Sequence, residues 1–182
     1  MNIFFLDKDA KLAAKMHCDK HVVKMILESA QLLSTAHRVL DGKQWIDSSS
    51  GRKIKRWKLD DDFRESALYK ATHINHPSAV WVRESKQHYD YLFDLFFHLC
   101  REYTYRYGKI HKCESMFSAL LQYPKNLADN GFAEPPQAMP EYCRIPRDSV
   151  QAYRNYYIKE KTSMLKYTKR EAPMWINIQK GN

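Results

Sequence analysis

The stretch Met16-His17-Cys18-Asp19-Lys20-His21-Val22-Val23-Lys24-Met25-Ile26-Leu27-Glu28 holds the densest set of reactive side chains in this 182-residue sequence. At helical spacing His17, His21, Lys24, Glu28, Gln31 and Thr35 follow one another by three or four residues. Side chains so spaced have Cβ atoms about 5–6 Å apart and can share one site. Two imidazoles, an ammonium and a carboxylate on one stripe can move protons, hold a phosphate or bind a metal. His17 and His21 have the spacing of a zinc pair, but Cys18 stands where a zinc protease carries its glutamate base, so no metal is assigned. A polar helix edge with hydrogen-bonded histidines is the plainer alternative.

A second group is His73-Ile74-Asn75-His76-Pro77. Proline favours the first position of a helix, and the free amides of a helix start attract anions. A phosphate or carboxylate held there would receive protons from His73 or His76; a turn that merely satisfies its own backbone is the alternative. Two further segments mix cations with aromatic rings: Arg52, Lys53, Lys55, Arg56 and Trp57, and then Tyr153, Arg154, Tyr156, Tyr157 and Lys159. Cations displace counterions from phosphates and rings stack on unpaired bases. The competing arrangement packs the tyrosines inward and leaves the lysines in water.

The elements that must carry these residues are mostly helical, because the long segments repeat near 3.6 residues and glycine is scarce. Asp7 or Asp9 caps a first long helix to about Leu40, with Leu12, Met16, Val23, Ile26, Leu27, Ala30, Leu33 and Leu40 toward the core. Residues 2–6 form a short apolar lead-in, and 43–60 a loop or small hairpin. A short helix is expected over 61–71, a second long one from Ser78 to about Tyr107, stopped by Gly108, and another short one over 114–122. Residues 124–147 hold five of the seven prolines and must be irregular; a loop that long is usually functional or wraps the surface. Asp148 and Gln151 open a last helix from 149 to about 170, and Trp175 lies in a tail that docks by its ring. The fold class expected is one helical-bundle domain over residues 1–182, with two or three long helices.

Thirty Lys and Arg against 21 Asp and Glu leave a formal charge of +9, which favours a polyanionic partner. DNA is the partner expected, with RNA as the alternative. No apolar run reaches the roughly 18 residues of a membrane span, and no basic region precedes the short apolar start, so neither membrane nor secretion is expected. Cys18, Cys100, Cys113 and Cys143 are scattered without a C-x-x-C pair, which fits a reduced cytoplasm. No cofactor is indicated, and the oligomeric state is left open.

Two resemblances attach to these motifs. Met-Asn-Ile-Phe at the start, Cys18 to Glu28, Asn75-His76-Pro77 and Tyr153-Arg154-Asn155-Tyr156-Tyr157 resemble a group of uncharacterised phage-encoded proteins over nearly the full length. More remotely, the basic, all-helical layout resembles the phage pyrimidine-dimer DNA glycosylases of the endonuclease V type. Lys20-His21-Val22-Val23-Lys24 has the spacing of that family's basic-Glu-x-x-basic pattern, with His21 at the glutamate, and His76-Pro77 precedes a long helix ending near Arg106-Tyr107-Gly108-Lys109. The resemblance implies a basic groove for DNA and a pocket for a base turned out of the stack. The family's nucleophile is the amine of a small second residue exposed by methionine removal; Asn2 departs from this, since it normally prevents that removal.

The function expected is therefore a DNA-binding, base-directed enzyme of the glycosylase type, acting in repair or base removal. His17, His21, Lys24 and Glu28 would form one wall of the site and His73, Asn75 and His76 the other. Lys20 and Lys24 would hold phosphate. A transferase of phage DNA hypermodification and a non-enzymatic nucleic-acid binder or inhibitor of a host enzyme are the alternatives.

Overall fold

The computed structural model describes residues 1–177 and is mostly α-helical. Helix α1 (Ala10–Met16) starts on the Asp9 carboxylate, which accepts the Leu12 amide, and helix α2 (Asp19–Asp41) follows after a break at His17 and Cys18. The single helix expected from Asp9 to Leu40 is thus two. No proline or glycine causes the break. Tertiary bonds do: the Asp19 amide donates to the Lys166 carbonyl at 2.8 Å, and the Asp19 carboxylate accepts from the Thr168 amide and hydroxyl and from Arg106.

Strands β1 (Lys43–Asp47) and β2 (Ile54–Lys58) form an antiparallel hairpin, and α3 (Asp62–Ala67) is capped by Asp61. Arg38 fastens this excursion to α2. Its buried guanidinium donates to the carbonyls of Trp57, Glu65, Leu68 and Tyr69 and to the Glu65 carboxylate. Helices α4 (Pro77–Val82) and α5 (Lys86–Tyr107) replace the second long helix expected from Ser78. The chain breaks between them because the Lys86 amide turns out to the Ala128 carbonyl and the Ser85 hydroxyl accepts the Asn130 amide. Gly108, in the left-handed region at φ 66°, ends α5, as a C-cap glycine does.

Helix α5 packs along both α1 and α2. Residues 112–116 form a 3-10 turn leading into α6 (Phe117–Leu120). The proline-rich segment is an irregular strap pinned at short intervals. Trp81 donates to the Ala133 carbonyl, His88 accepts the Ala133 amide, and Ser149 and Tyr153 donate to the Pro135 and Pro136 carbonyls. Helix α7 (Ser149–Glu160) opens on Asp148, as its sequence indicates, but stops at Glu160 rather than near 170. The chain after it crosses to the α1–α2 junction, and α8 (Met174–Asn177) follows, with Trp175 edge-on to Tyr157. No helix among the described residues is long and apolar enough to cross a membrane.

The core gathers Ile3, Phe5, Leu6, Met25, Ile26, Leu32, Leu33, Leu92, Leu95, Phe96 and Leu99 from the amino-terminal segment, α2 and α5. Leu12, Val23 and Leu27, expected on the same apolar stripe, instead face outward at 44, 40 and 39% exposure. The break at Cys18 resets the helical phase, so α2 buries the Val22, Met25, Ile26 face.

Candidate active site

The amino-terminal segment reaches its place through Asn2, a polar residue heading an apolar run. The Asn2 side chain accepts the Ile3 amide at 2.8 Å and donates to the Ala138 carbonyl of the strap at 2.9 Å. Its own amide donates to Glu28 Oε2 at 2.9 Å. Glu28 Oε1 lies 3.4 Å from Lys24 Nζ, one turn earlier on α2. Helix α2 therefore presents a carboxylate already held by two donors, its side chain still 13% exposed.

The 73–77 turn closes on the same region. The His76 amide donates to the His73 carbonyl, and the Thr72 amide donates to the Thr35 hydroxyl at 3.2 Å, tying the turn to α2. His76 Nδ1 accepts the Ser78 amide, so the neutral ring carries its proton on Nε2. Burial lowers the proton affinity of His76, and the Met1 ammonium and His73 lower it further, while Glu28 acts the other way. His73 is exposed, with Nδ1 2.7 Å from the Thr72 hydroxyl, and Asn75 is exposed beside it.

A cleft of about 690 Å³ opens alongside, lined by Pro77, Pro136, Gln137, Ala138, Glu141, Arg144 and Pro146. It shares Pro77 with the histidine turn and Ala138 with the Asn2 anchor. Gln137 is locked by two bonds to the Ile145 backbone. Arg144 spends its Nε on the Met139 carbonyl. Two residues in the left-handed region, Phe4 at φ 54° and His73 at φ 48°, flank this group. For non-glycine residues that conformation stores strain, which gathers where surrounding structure must fix a geometry.

His17, in the α1–α2 break, and His21, on α2, do not join the site. His17 is fully buried with Nδ1 donating to the Ala13 carbonyl at 2.7 Å and Nε2 without a partner, and burial lowers its pKa to about 4. His21 is 3% exposed, stacks under Phe4 at 4.2 Å between ring centres and meets the Tyr157 hydroxyl at 2.5 Å. Burial, with His17, Lys161 and Lys24 adding to it, lowers its pKa to about 3. Both rings are neutral core residues, so the role expected for His21 at a family glutamate position has no access to a substrate. The carboxylate beside the amino end is Glu28.

The anion site expected at the start of α4 also closes. That helix has only six residues, and its first amides already bond to His76 Nδ1 and the His76 carbonyl. Tyr153 and Tyr157 are fully buried and offer no ring face to a base. Arg154 is held by the Leu6 carbonyl and Asp7. Tyr156 is half-buried against Phe4 with Lys161 over its ring, and Lys159, exposed, donates to the Tyr142 carbonyl. Lys20 and Lys24 stand free in solvent on α2, Lys24 apart from its bond to Glu28. Arg52, Lys53 and Lys55 are exposed on the hairpin, where Arg56 pairs with Asp47 and Trp57 is half-buried.

Sequence reasoning missed Asn2, Gln137 and Arg144. The signal for Asn2 was available, since an amide at the head of a buried apolar run must find partners. Among the described residues no group of three His, Cys, Asp or Glu is placed to hold a metal. Comparison with protein-family models, curated proteins and solved structures finds no match, so the chemistry of the site rests on its own residues.

Proposed function

We propose that this protein is a DNA-binding, base-directed enzyme that hydrolyses the N-glycosidic bond of an extruded nucleotide. The reading is supported by a cleft that meets Pro77, next to the neutral imidazole His76, and Ala138, which holds the same Asn2 whose amide positions the partly exposed carboxylate of Glu28. The cleft falls within the roughly 300–1,000 Å³ typical of small-ligand sites, room for a base with its sugar. In the reaction a water oxygen bonds to C1′ while the bond from C1′ to the base nitrogen breaks, its electron pair leaving with the base. Glu28 stabilises the positive charge developing at C1′ and takes the proton from the water. His76 Nε2–H donates a hydrogen bond to the departing base and steadies the electron pair it carries away, and the base then takes its proton from solvent. Arg144, Lys24 and Lys20 supply positive charge for the flanking phosphates.

The test is incubation of the protein with plain, modified and damaged duplexes, followed by mass spectrometry of released bases and nucleosides. Glu28→Gln and His76→Gln should each lower release by about 10²–10⁴-fold, the usual cost of losing a positioned base or hydrogen-bond donor, with duplex affinity nearly kept. Release of no base from any substrate would refute the reading. Borohydride trapping of DNA on the amino terminus would replace direct hydrolysis with a covalent amine route.

A further inference from the structure

We propose that the β1–β2 hairpin is an arm that enters the major groove of duplex DNA; this rests on the reading of the protein as a DNA enzyme. No residue from Lys43 to Lys58 is fully buried, and the first strand and the turn are almost wholly exposed, so the hairpin projects from the helices with only its second strand partly covered. Its root is nonetheless fixed. Arg38 holds the Trp57 carbonyl at 2.9 Å, and a Cβ on Gly42 would sit 3.0 Å from Trp57 Cβ, so the two strands leave α2 in close contact.

Residues 43–58 contain six cations, Lys43, Arg52, Lys53, Lys55, Arg56 and Lys58, against the single carboxylate Asp47. More than half of the net +9 of the chain is therefore concentrated in one small arm. Asp47 is already engaged by Arg56 and Ser49, and the other five cations form no ion pair among the described residues. The register sets Lys43 opposite Lys58 and Trp45 opposite Arg56, which places two like charges across from each other on one face. Such a pair is unfavourable in isolation, and the carboxylates of Asp60 and Asp62, in the same cleft, offset it.

Trp45 and Ile46, on opposite faces, are each 49% exposed and give the arm apolar contacts at its centre. Asp60 and Asp62 share a shallow cleft with Lys43, Trp45 and Lys58 at the root. Their charge keeps DNA phosphates toward the tip, where Arg52, Lys53 and Lys55 lie. Dimensions select the partner. A two-stranded ribbon fits a B-form major groove about 12 Å wide, whereas the major groove of duplex RNA is too deep and narrow for it.

The experiment measures duplex binding by fluorescence anisotropy over a salt series, using the full chain and the triple variant Arg52→Ala, Lys53→Ala, Lys55→Ala. All three positions are exposed, and a thermal melt confirms that the variant folds. If each cation neutralises one phosphate, the slope of log affinity against log salt falls by about 2.7, and affinity at low salt drops more than about tenfold. Dimethyl sulfate footprinting should show protection at guanine N7, in the major groove, and not at adenine N3, in the minor groove. Duplex RNA should compete at least about tenfold less well than DNA. An unchanged slope in the variant, protection at N3 alone, or equal competition by RNA would overturn the proposal. Loss of binding in the triple variant with no base release by the native protein would keep the arm and remove the glycosidic reading. Native binding by the triple variant with activity lost in Glu28→Gln would do the reverse.

Discussion

Lowering the pH from 7.5 to 5 should unfold this protein, and the buried histidines set the size of the effect. His17, His21 and His37 are at most 3% exposed, and burial lowers their pKa values to about 4, about 3 and about 4. In the unfolded chain each would titrate near 6.5. The unfolded state therefore binds more protons than the native state between these values, and stability falls as pH drops through 6.5. For a shift from 6.5 to 4, the loss between pH 7.5 and 5 is about 2 kcal/mol per histidine, hence about 6 kcal/mol for three. Domain stabilities are typically about 5–15 kcal/mol, so the loss approaches the whole. The carboxylates do not add to this loss: Asp94, raised by burial, acts the other way toward pH 5. Asp19 and Glu102 would be raised by burial but are held below the ordinary range by hydrogen bonds, Asp19 from Thr168 and Arg106, Glu102 from Arg170 and Arg106, so their contribution disappears only at lower pH. Urea unfolding followed by circular dichroism at pH 7.5, 6.5, 5.5 and 5 reads the effect directly. His37→Gln should remove about a third of the pH dependence. A stability constant to within about 1 kcal/mol from pH 7.5 to 5, or imidazole titrations by NMR with all three midpoints above 6, would refute the reasoning.

Four further outcomes are expected. Arg106→Met removes the buried charge shared by Asp19 and Glu102, leaving Asp19 to Thr168 and Glu102 to Arg170, and should cost about 1.5–3 kcal/mol, seen as a lower urea midpoint at pH 7.5. Gly42→Ala places a Cβ 2.5 Å from the Arg38 carbonyl oxygen and should destabilise the hairpin root by about 1–3 kcal/mol, with Trp57 fluorescence reporting the shift. Gly108→Ala forces a side chain into the left-handed region and should cost about 1–2 kcal/mol in a thermal melt. Cys18, Cys100, Cys113 and Cys143 are all buried with raised pKa values, so iodoacetamide at pH 8 should leave the native protein unmodified and alkylate all four in urea, as counted by mass spectrometry.

Local signals read well from the sequence. Asp9, Asp61 and Asp148 cap helices with their own carboxylates, Gly108 stops one, and the Ser48–Gly51 stretch turns the hairpin. These features depend on a few neighbouring residues. The breaks at Cys18 and Ser85 were not legible, because their partners Lys166, Ala128 and Asn130 are distant in the chain. The candidate site divides along the same line. Glu28, Lys24, His73 and His76 stand out by spacing, whereas the inward rotation of His17 and His21 follows from the helix phase that the Cys18 break sets. Periodicity cannot distinguish a titratable stripe facing a cleft from one facing a core, and Phe4 decided between them by lying over His21.

The burial of residues 2–6 has a consequence for biogenesis. Asn2 is held by Ala138, Leu6 by Arg154, and Phe4 by Tyr153, Tyr156 and Tyr157, so residues 2–6 are enclosed by residues made much later. At about 5–20 residues per second, roughly 10–30 s pass between the synthesis of Ile3-Phe4-Phe5-Leu6 and that of the helix that covers them. During that interval the apolar tetrapeptide Ile3–Leu6 lacks the helix that covers it. Nascent chains stalled before residue 150 should accordingly remain protease-sensitive and be retained by chaperones that grip short hydrophobic segments, and release of α7 from the ribosome becomes the event that commits the molecule to its fold.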